Sequence, residues 1–333
     1  MAPHPQRLTV TRRTWPLARP LMTAHGVTSA AEVVVAELSD VESRGRGEGV
    51  PLRRNGESID SVVAALDAMK GAIFSGLNRD TLQSALPAGA ARNALDCAFW
   101  DMDAKRAYRS VAELAGLGAV TPVVTAVTLA FDTPDRMAEM AAVHRSRPVL
   151  RLEFSGDGDV EHVRAVRQAA PTARLIVDAQ ESWSEAQLGM LLPALLDCRV
   201  ALIEQPLPAD ADDALAGLGL PIPLCADESC RTLADLDRLD GKYAAINIKL
   251  DKVGGLTEAL ALAAEAKRRG LRVMVGGTIG TSLGVAPALL VAQGAEMVAL
   301  DGPLFLAADR VPGLRYDGST IHPAEGKLWG GAG

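Results

Sequence analysis

Short aliphatic or β-branched runs recur through the last two thirds of the chain at intervals of 22 to 27 residues. Helical stretches, such as 159–171, 184–196 and 255–270, lie between them. Eight strands alternating with helices predict an α/β fold of the parallel (β/α)8 barrel type. A doubly wound open sheet alternates in the same way, but no glycine-rich phosphate turn follows an early strand, and eight regular units favour closure. The predicted strands end near Thr128, Glu153, Asp178, Glu204, Asp227, Lys249, Gly276 and Asp301.

In the first 115 residues the predicted elements come in a different order: strand-like runs precede helical stretches. This order is typical of an α+β domain. We therefore predict an N-terminal α+β domain over 1–115 and a barrel over 116–302. The segment 303–333 is rich in glycine and proline, and we expect it to return to the N-terminal domain. The strand-like runs are 7–15, 31–38 and 41–50, and the helical stretches are 58–77, 78–86 and 89–108.

Composition and charge narrow the possible partners. The chain carries 34 Lys and Arg against 41 Asp and Glu, a net charge of −7, and it has no basic run, which argues against nucleic acid and anionic membranes as partners. The four cysteines have no metal-site or paired spacing, as expected in a reducing compartment. The N-terminus does not read as a signal peptide, and no apolar run reaches the length of a membrane span. We expect a cytoplasmic enzyme.

Three carboxylates at successive strand ends predict a metal site. The C-terminal ends of parallel barrel strands meet at one rim, where active sites lie. Asp178, Glu204 and Asp227 would therefore converge, and their mutual repulsion would be relieved by a divalent cation. An all-oxygen set suits Mg²⁺, with Mn²⁺ as a substitute. Any one of these acids could instead cap a helix.

Lys249 ends the strand that follows Asp227 and would stand beside the proposed cation. A lysine there can remove a proton from carbon next to a carboxylate. The same lysine could instead pair with the nearby acids, and the two roles are compatible. Asp251, two residues further along, could orient Lys249.

Motifs spread over nearly the whole chain resemble the enolase superfamily. They are GRGEGVPLRRNGES (45–58), ARNALDCAFWDMDAK (91–105), DAQ, IEQPLP, ADES, NIKLDKVGGLTEAL (247–260), GTSL (280–283) and LDGPLFLA (300–307). The resemblance is to the muconate-lactonizing subgroup, in particular its dipeptide epimerases and N-acyl-glutamate racemases. It implies a capping domain over a (β/α)7β barrel, Mg²⁺ on the three acids, and two opposed lysines that exchange an α-proton on opposite faces of the substrate. Lys249 matches the lysine of the sixth strand.

The second-strand motif departs from the family. Where the family has K-x-K, this chain has Arg151-Leu152-Glu153, so that Glu153 stands in the position of the other catalytic lysine. Arg151 and Glu153 share one face of the strand, and an ion pair between them is expected. Glu153 could alternatively reach the metal or act as an unusual second base. Lys249, Glu153 and Arg151 are the candidate catalytic residues.

Other positions that the resemblance assigns to the site also differ. His25 replaces an arginine that would hold a distal substrate carboxylate, and of a D-x-D motif that binds the substrate's amino group only Asp301 remains. The loss weakens the case for a free amino group and leaves room for an N-acylated amino acid. The remaining candidates are the supporting residues Gln180 and Glu228 and the substrate-binding residues Gly277, Thr278 and Ile279.

Three functions remain open from the sequence. The first is a Mg²⁺-dependent epimerase or racemase of a dipeptide or N-acyl amino acid, with Glu153 as second acid/base. The second is a lyase of the same superfamily that uses Lys249 as its single base. The third is a catalytically impaired relative that acts by binding. In each case we expect a small-molecule ligand and a homo-oligomer.

Overall fold

The computed structural model describes residues 6–23, 26–156 and 158–331. Its N-terminal part is a three-stranded antiparallel sheet with helices on one face. The strands are β1 (Arg7–Thr23), β2 (Gly26–Ser39) and β3 (Arg44–Gly49). The helices are α1 (Ile59–Ala68), α2 (Lys70–Phe74), α3 (Arg79–Ala85), α4 (Ala90–Ala107) and α5 (Val111–Leu114).

Helix α4 packs against β3 because glycines leave room for its backbone. Gly45, Gly47 and Gly49 alternate along β3, and a Cβ atom at Gly47 would collide with the carbonyl oxygen of Ala94. The buried face of α4 meets Val34, Ala36 and Leu38 of β2, among other residues, in one apolar cluster. This close packing fixes β3, and with it Glu48, against the rest of the capping domain.

The barrel follows as eight strands in the described residues, ordered along the sheet as they are in the chain. After the short β4 (Val123–Val124), the barrel strands are β5 (Val127–Leu129), β6 (Val149–Glu153), β7 (Arg174–Asp178), β8 (Val200–Glu204), β9 (Leu224–Ala226), β10 (Ala245–Ile248), β11 (Arg272–Gly276) and β12 (Met297–Ala299). Their pairings are parallel. The backbone NH of Ala126 donates to the carbonyl of Val298 at 2.7 Å, which joins the first strand region to the last.

Helices cover the outside of the barrel. They are α6 (Pro134–Val143), α7 (Asp159–Ala169), α8 (Glu185–Asp197), α10 (Leu256–Arg268) and α11 (Ser282–Ala292). The single turn α9 (Leu250–Val253), between β10 and α10, instead contacts α4 of the capping domain. The fourth and fifth units carry 3-10 helices, at Asp212–Leu215 and Leu233–Arg238, in place of longer α-helices. Inside the barrel, buried side chains such as Ile176, Leu202 and Met274 fill the space between the strands. The predicted α/β barrel with an α+β capping domain is confirmed.

The C-terminal segment contacts both parts of the molecule. Its strands β13 (Tyr316–Asp317) and β14 (Thr320–Ile321) pair with each other and with β4. The Arg46 guanidinium donates to the carbonyl of Leu328 at 2.9 Å, and the Gly330 amide donates to Asp101 at 2.8 Å. In the part of the chain described here, no helix is both long and apolar enough to cross a membrane.

Candidate active site

Three acids lie buried at one rim of the barrel, where adjacent strands end. Asp178 ends β7, Glu204 ends β8, and Asp227 directly follows β9. Asp178 and Glu204 are paired in register across the two parallel strands, which sets their side chains side by side. All three are at most 5% exposed. The strand ends thus bring together the acids that the sequence singled out.

Three cations bind these carboxylates. Arg151, on β6, donates from Nε to Glu204 at 2.8 Å and from its Nη2 to Asp178. Lys249 Nζ lies 2.5 Å from Asp227 Oδ2 and 3.9 Å from Glu204 Oε1.

Lys252 adds a third contact, 2.6 Å from Asp227 Oδ1. Sequence reasoning did not single out Lys252, although it stands in the same KLDK segment as Lys249. Its role depends on the single turn of α9, which returns its amine to Asp227.

The close packing of charged groups shifts the pKa values of these side chains. Burial and the charge of Glu204 raise the pKa of Asp178 well above its usual value, although Arg151 opposes the shift. Burial would raise the pKa of Asp227, but Lys249 and Lys252 outweigh it and lower that pKa. Burial lowers the pKa of Lys249, but the Asp227 and Glu204 charges outweigh burial and raise it. The positive charge of the neighbouring side chains therefore outweighs burial at Asp227 but does not at Asp178.

Glu153 and Lys249 line the same small cavity, of about 50 Å³. Glu153 ends β6 and Lys249 follows β10, four strands away in a sheet of eight, so the two side chains enter from opposite sides of the barrel. The Glu153 carboxylate accepts from Arg151 Nη1 at 3.3 Å, as expected from their shared face. Its side chain is 30% exposed, whereas that of Arg151 is 8% exposed.

The remaining wall of the cavity is made of Arg151, Asp301 and side chains that are small or apolar. Gly277, Thr278 and Ile279 line it from the loop after β11. Asp301 also lines it, but both of its oxygens are engaged by Thr128, at 2.6 Å from the amide and 3.0 Å from the hydroxyl. His25 lies outside the described residues.

The supporting residues are arranged differently from the sequence expectation. Gln180 and Glu228 do border the carboxylates, and both are held by Arg54 from the capping domain, Gln180 at 3.3 Å. Burial and the charge of Asp227 raise the pKa of Glu228 to about 7. The expected contact of Asp251 with Lys249 is not among the hydrogen bonds of Asp251.

Asp251 instead accepts from the Val50 amide at 2.9 Å, from Asn93 Nδ2 at 2.7 Å and from the Thr278 hydroxyl at 2.7 Å. The reason is the short helix α9, which begins directly after Lys249 and turns Asp251 toward the capping domain. The expectation that Asp251 orients Lys249 is therefore replaced by a role in joining the two domains.

Family models match both parts of the chain. Residues 6–116 match the N-terminal domain of mandelate racemase and muconate lactonizing enzyme, and residues 133–310 match the enolase C-terminal domain-like family. The chain belongs to the enolase superfamily. The predicted family is therefore confirmed, and its arrangement of capping domain and barrel agrees with the fold described above.

Two relatives in this superfamily cover nearly the whole chain. The L-Ala-D/L-Glu epimerase of Escherichia coli is 44% identical over 310 residues, 92% of this chain and 97% of the relative. The N-acetyl-D-glutamate racemase of a Pseudoalteromonas species is 42% identical over 302 residues, 90% of this chain and 96% of the relative. These relatives confirm the prediction of an isomerase of the epimerase or racemase type.

Solved structures of the superfamily superpose along the whole chain. An enolase family member from Agrobacterium tumefaciens with homology to dipeptide epimerases, bound to sodium and L-Ala-L-Glu, has a TM-score of 0.96 at 46% identity and covers 98% of this chain and 100% of its own. A dipeptide epimerase from Enterococcus faecalis, complexed with Mg and L-Leu-L-Tyr, has a TM-score of 0.88 at 25% identity and covers 99% of both chains. The expected use of magnesium is thus confirmed within this superfamily.

The donor set of this chain fits such an ion, although cations of the protein neutralise it in this structure. Within the described ranges, no three His, Cys, Asp or Glu side chains surround a common point. The three acids nevertheless offer only oxygen donors, which Mg²⁺ prefers. Among the residues that the structure describes, none donates a hydrogen bond to the buried Glu228 Oε2 beside them. An acid cluster with one unpartnered oxygen and a raised pKa at Asp178 can accept further positive charge.

Proposed function

We propose that this chain is a Mg²⁺-dependent epimerase or racemase that inverts the carbon next to a carboxylate. The observation that carries the proposal is the placement of Lys249 and Glu153 on opposite walls of one cavity, with the three acids beside them. Inversion needs one group to remove the α-proton on one face and another to deliver a proton to the opposite face. Two acid/base groups four strands apart meet that requirement.

Asp178, Glu204 and Asp227 would hold the Mg²⁺. When bound there, the ion supplies positive charge that offsets the charge developing on the substrate carboxylate as the α-proton leaves. Glu228 and Gln180 support this end of the site through Arg54. Lys252 holds Asp227 from outside the cavity, at its carboxylate and at its carbonyl.

Lys249 is the proposed acid/base on one face: its neutral amine receives the proton at Nζ, and its charged form, which the neighbouring acids favour, gives one in the reverse direction. Glu153 is the proposed acid/base on the other face, where its protonated carboxyl gives a proton to the same carbon. Arg151 Nη1 lies 3.3 Å from Glu153 Oε1 and positions the carboxyl group at the cavity through this hydrogen bond. For the reverse reaction, Glu153 removes the proton and Lys249 returns one.

The substrate we propose is an amino acid whose α-nitrogen is acylated, either by a simple acyl group or by another amino acid. Each oxygen of Asp301 accepts one hydrogen bond from Thr128, and its neighbour on the strand face is Ala299, which also lines the cavity. Without a second acid at position 299, the part of this wall formed by the last strand offers a free ammonium group only the carboxylate of Asp301, each oxygen of which already accepts one hydrogen bond. The arrangement therefore favours N-acyl amino acids over dipeptides with a free amino terminus.

Deuterium exchange tests the proposed function. The enzyme with Mg²⁺ is incubated in deuterated buffer with N-acyl-glutamates, other N-acyl amino acids and dipeptides of both configurations. Deuterium at the α-carbon of both enantiomers, together with inversion, is the expected result. The absence of exchange from every carbon acid, despite stoichiometric metal binding, would contradict catalysis and support a binding role.

One observation favours a second candidate, a single-base enzyme such as a lyase. The guanidinium of Arg151 lies 3.3 Å from the Glu153 carboxylate, and a carboxylate is a much weaker base than a neutral amine. In that case the exchange experiment gives deuterium in one enantiomer only, without inversion. The panel above therefore separates the two candidates directly.

We also infer a cytoplasmic location, which the four buried, unbridged cysteines support. A homo-oligomer remains a prediction. Sedimentation of the purified protein over a range of concentrations tests it, and a monomer at every concentration would contradict it.

A further inference from the structure

We propose that a buried cluster of Glu48, Thr281 and Arg310 positions the loop 277–280, which forms the substrate-binding wall after β11. The inference deepens the proposed function, on which only its kinetic consequence rests. None of the three residues is among those that line the cavity. They are positioning residues, and they act through the loop.

The three side chains form a closed hydrogen-bonded triangle. Glu48 Oε1 accepts from the Thr281 amide at 2.7 Å, and Glu48 Oε2 accepts from the Thr281 hydroxyl at 2.6 Å. Arg310 donates from Nε to the same hydroxyl at 2.6 Å and from Nη2 to Glu48 Oε2 at 2.8 Å. Each member thus fixes the other two.

Because the triangle is buried, its side chains are stable only in the arrangement that completes their hydrogen bonds. The Glu48 side chain is fully buried and that of Arg310 is 16% exposed. A buried charge is costly unless its hydrogen bonds are complete, and displacement of Thr281 would remove two hydrogen bonds from Glu48 and one from Arg310. A Cβ atom on Gly280 would lie only 3.1 Å from Glu48 Oε1, which shows how closely the loop backbone rests on the acid.

A second tether holds the other end of the loop. The Thr278 hydroxyl donates to Asp251, which also binds the capping domain at the Val50 amide and at Asn93. Thr278 and Thr281 are therefore both anchored to acids that contact β3 or the segment after it. The loop between them is positioned by the capping domain as well as by its own strand.

Arg310 also connects this cluster to β1 of the capping domain, a strand that reaches the cavity. Its guanidinium lies 5.7 Å from the centre of the Trp15 ring on β1. Nearby, the Ala307 amide donates to the Pro16 carbonyl at 2.8 Å. Further along the same strand, Leu21 lines the cavity. The triangle thus joins two walls of the substrate site.

The test compares Thr281→Val with Thr281→Ser. Valine keeps the shape but loses both hydroxyl bonds of the triangle, whereas serine keeps the hydroxyl. Thr281 also caps α11, and so Thr133→Val, which removes the threonine cap of α6, is the matched control. Two readouts are used: amide hydrogen exchange of the 277–280 segment by mass spectrometry, and KM and kcat for an N-acyl amino acid.

We expect Thr281→Val to speed amide exchange in this segment and to raise KM about tenfold, with kcat changed less than about threefold. Thr281→Ser and Thr133→Val should stay close to the wild type in both readouts. Equal exchange of the segment in Thr281→Val and Thr133→Val would overturn the proposal. Because that readout needs no turnover, it decides the matter even if the proposed function fails.

Arg310→Met is the second variant, for use if Thr281→Val does not fold. It keeps the aliphatic stem of Arg310 and removes its two hydrogen bonds, leaving the charge of Glu48 without a counter-ion. Faster exchange in 277–280 is again the expected result. A fall in kcat with unchanged KM would show that the cluster acts on the acid/base groups and would contradict a positioning role for the loop.

Discussion

Lys249 and Glu153 face each other across the cavity, and the charges around them differ. On the side that we call the lysine wall (Lys249, with Asp227 and Lys252 behind it), one carboxylate is held by two amines. On the glutamate wall (Thr128, Arg151, Glu153 and Asp301), one guanidinium serves Glu153 as well as two carboxylates of the proposed metal site. Positive charge is in excess on the first wall and shared on the second.

This difference shows that the barrel can hold an amine at one strand end and a carboxylate at the strand end opposite to it. The strand ends fix where the side chains enter, four strands apart, whatever their chemistry. The side chain alone then decides which proton transfer each wall can perform. An amine and a carboxylate differ by several pKa units when free in water. Proton transfer in the two directions is therefore expected to be unequal.

Removing the amine of the lysine wall should have the largest effect. In Lys249→Met, exchange of the α-proton should fall about 1,000-fold, because loss of a positioned acid/base group costs a factor of roughly 10² to 10⁴. Deuterium incorporation measured by NMR checks it. Lys267→Met, on the exposed side of α10, is the control. Exchange that persists at the wild-type rate in Lys249→Met would exclude Lys249 as the base.

A lysine on the glutamate wall should make the two walls alike. We expect Glu153→Lys to raise the rate of inversion about 100-fold, within the usual range for a positioned acid/base group. Inversion is followed by polarimetry or chiral chromatography. The control is Glu161→Lys, at an exposed position of α7, which changes the charge by the same amount away from the cavity. If Glu153→Lys leaves inversion unchanged, residue 153 does not face the reacting carbon.

Bound Mg²⁺ should raise the free energy of unfolding through the three acids proposed to hold it. At a concentration 100 times its dissociation constant, a bound ion adds about 2.7 kcal/mol to the free energy of unfolding. Thermal unfolding with and without Mg²⁺ measures this gain. It should vanish in Glu204→Gln and persist in Glu161→Gln. Equal stabilisation of both variants would place the ion elsewhere on the protein.

The strand ends were the part of the site that the sequence could predict. Asp178, Glu204 and Asp227 lie together because a regular strand period carries each to the same rim, and periodicity is visible in one sequence. The interval alone also located Lys249 and Glu153. Local pattern therefore gave the fold class and the proposed ligands, and it gave the ion pair between Arg151 and Glu153.

Contacts between distant segments could not be predicted in this way. Glu48 and Arg310 are 262 positions apart in the chain, and their contact depends on how the capping domain packs on the barrel. Asp251 was misplaced for the same reason. Strand β1 was expected to stop at Trp15, before Pro16, but it continues to Thr23 past an irregularity between Pro16 and Leu21. Pairing with β2 outweighs the local cost of proline there.

The smallest expected effect concerns the amino group of the substrate, on the glutamate wall. Ala299→Asp would add a carboxylate on the strand that also leads to Asp301, without disturbing the bonds of Asp301 to Thr128. We expect kcat/KM for dipeptides with a free amino terminus to rise about fivefold relative to N-acyl amino acids, because a partly exposed ion pair contributes at most about 1 kcal/mol.

Ala299→Asn is the matched control for this change, since it has the same shape but no charge. It should leave the ratio of the two kcat/KM values near that of the wild type. An equal shift in both variants would show that size decides the preference. In that case the side chain at position 299 acts through its volume, and the lack of a carboxylate there does not explain a preference for N-acyl amino acids over dipeptides.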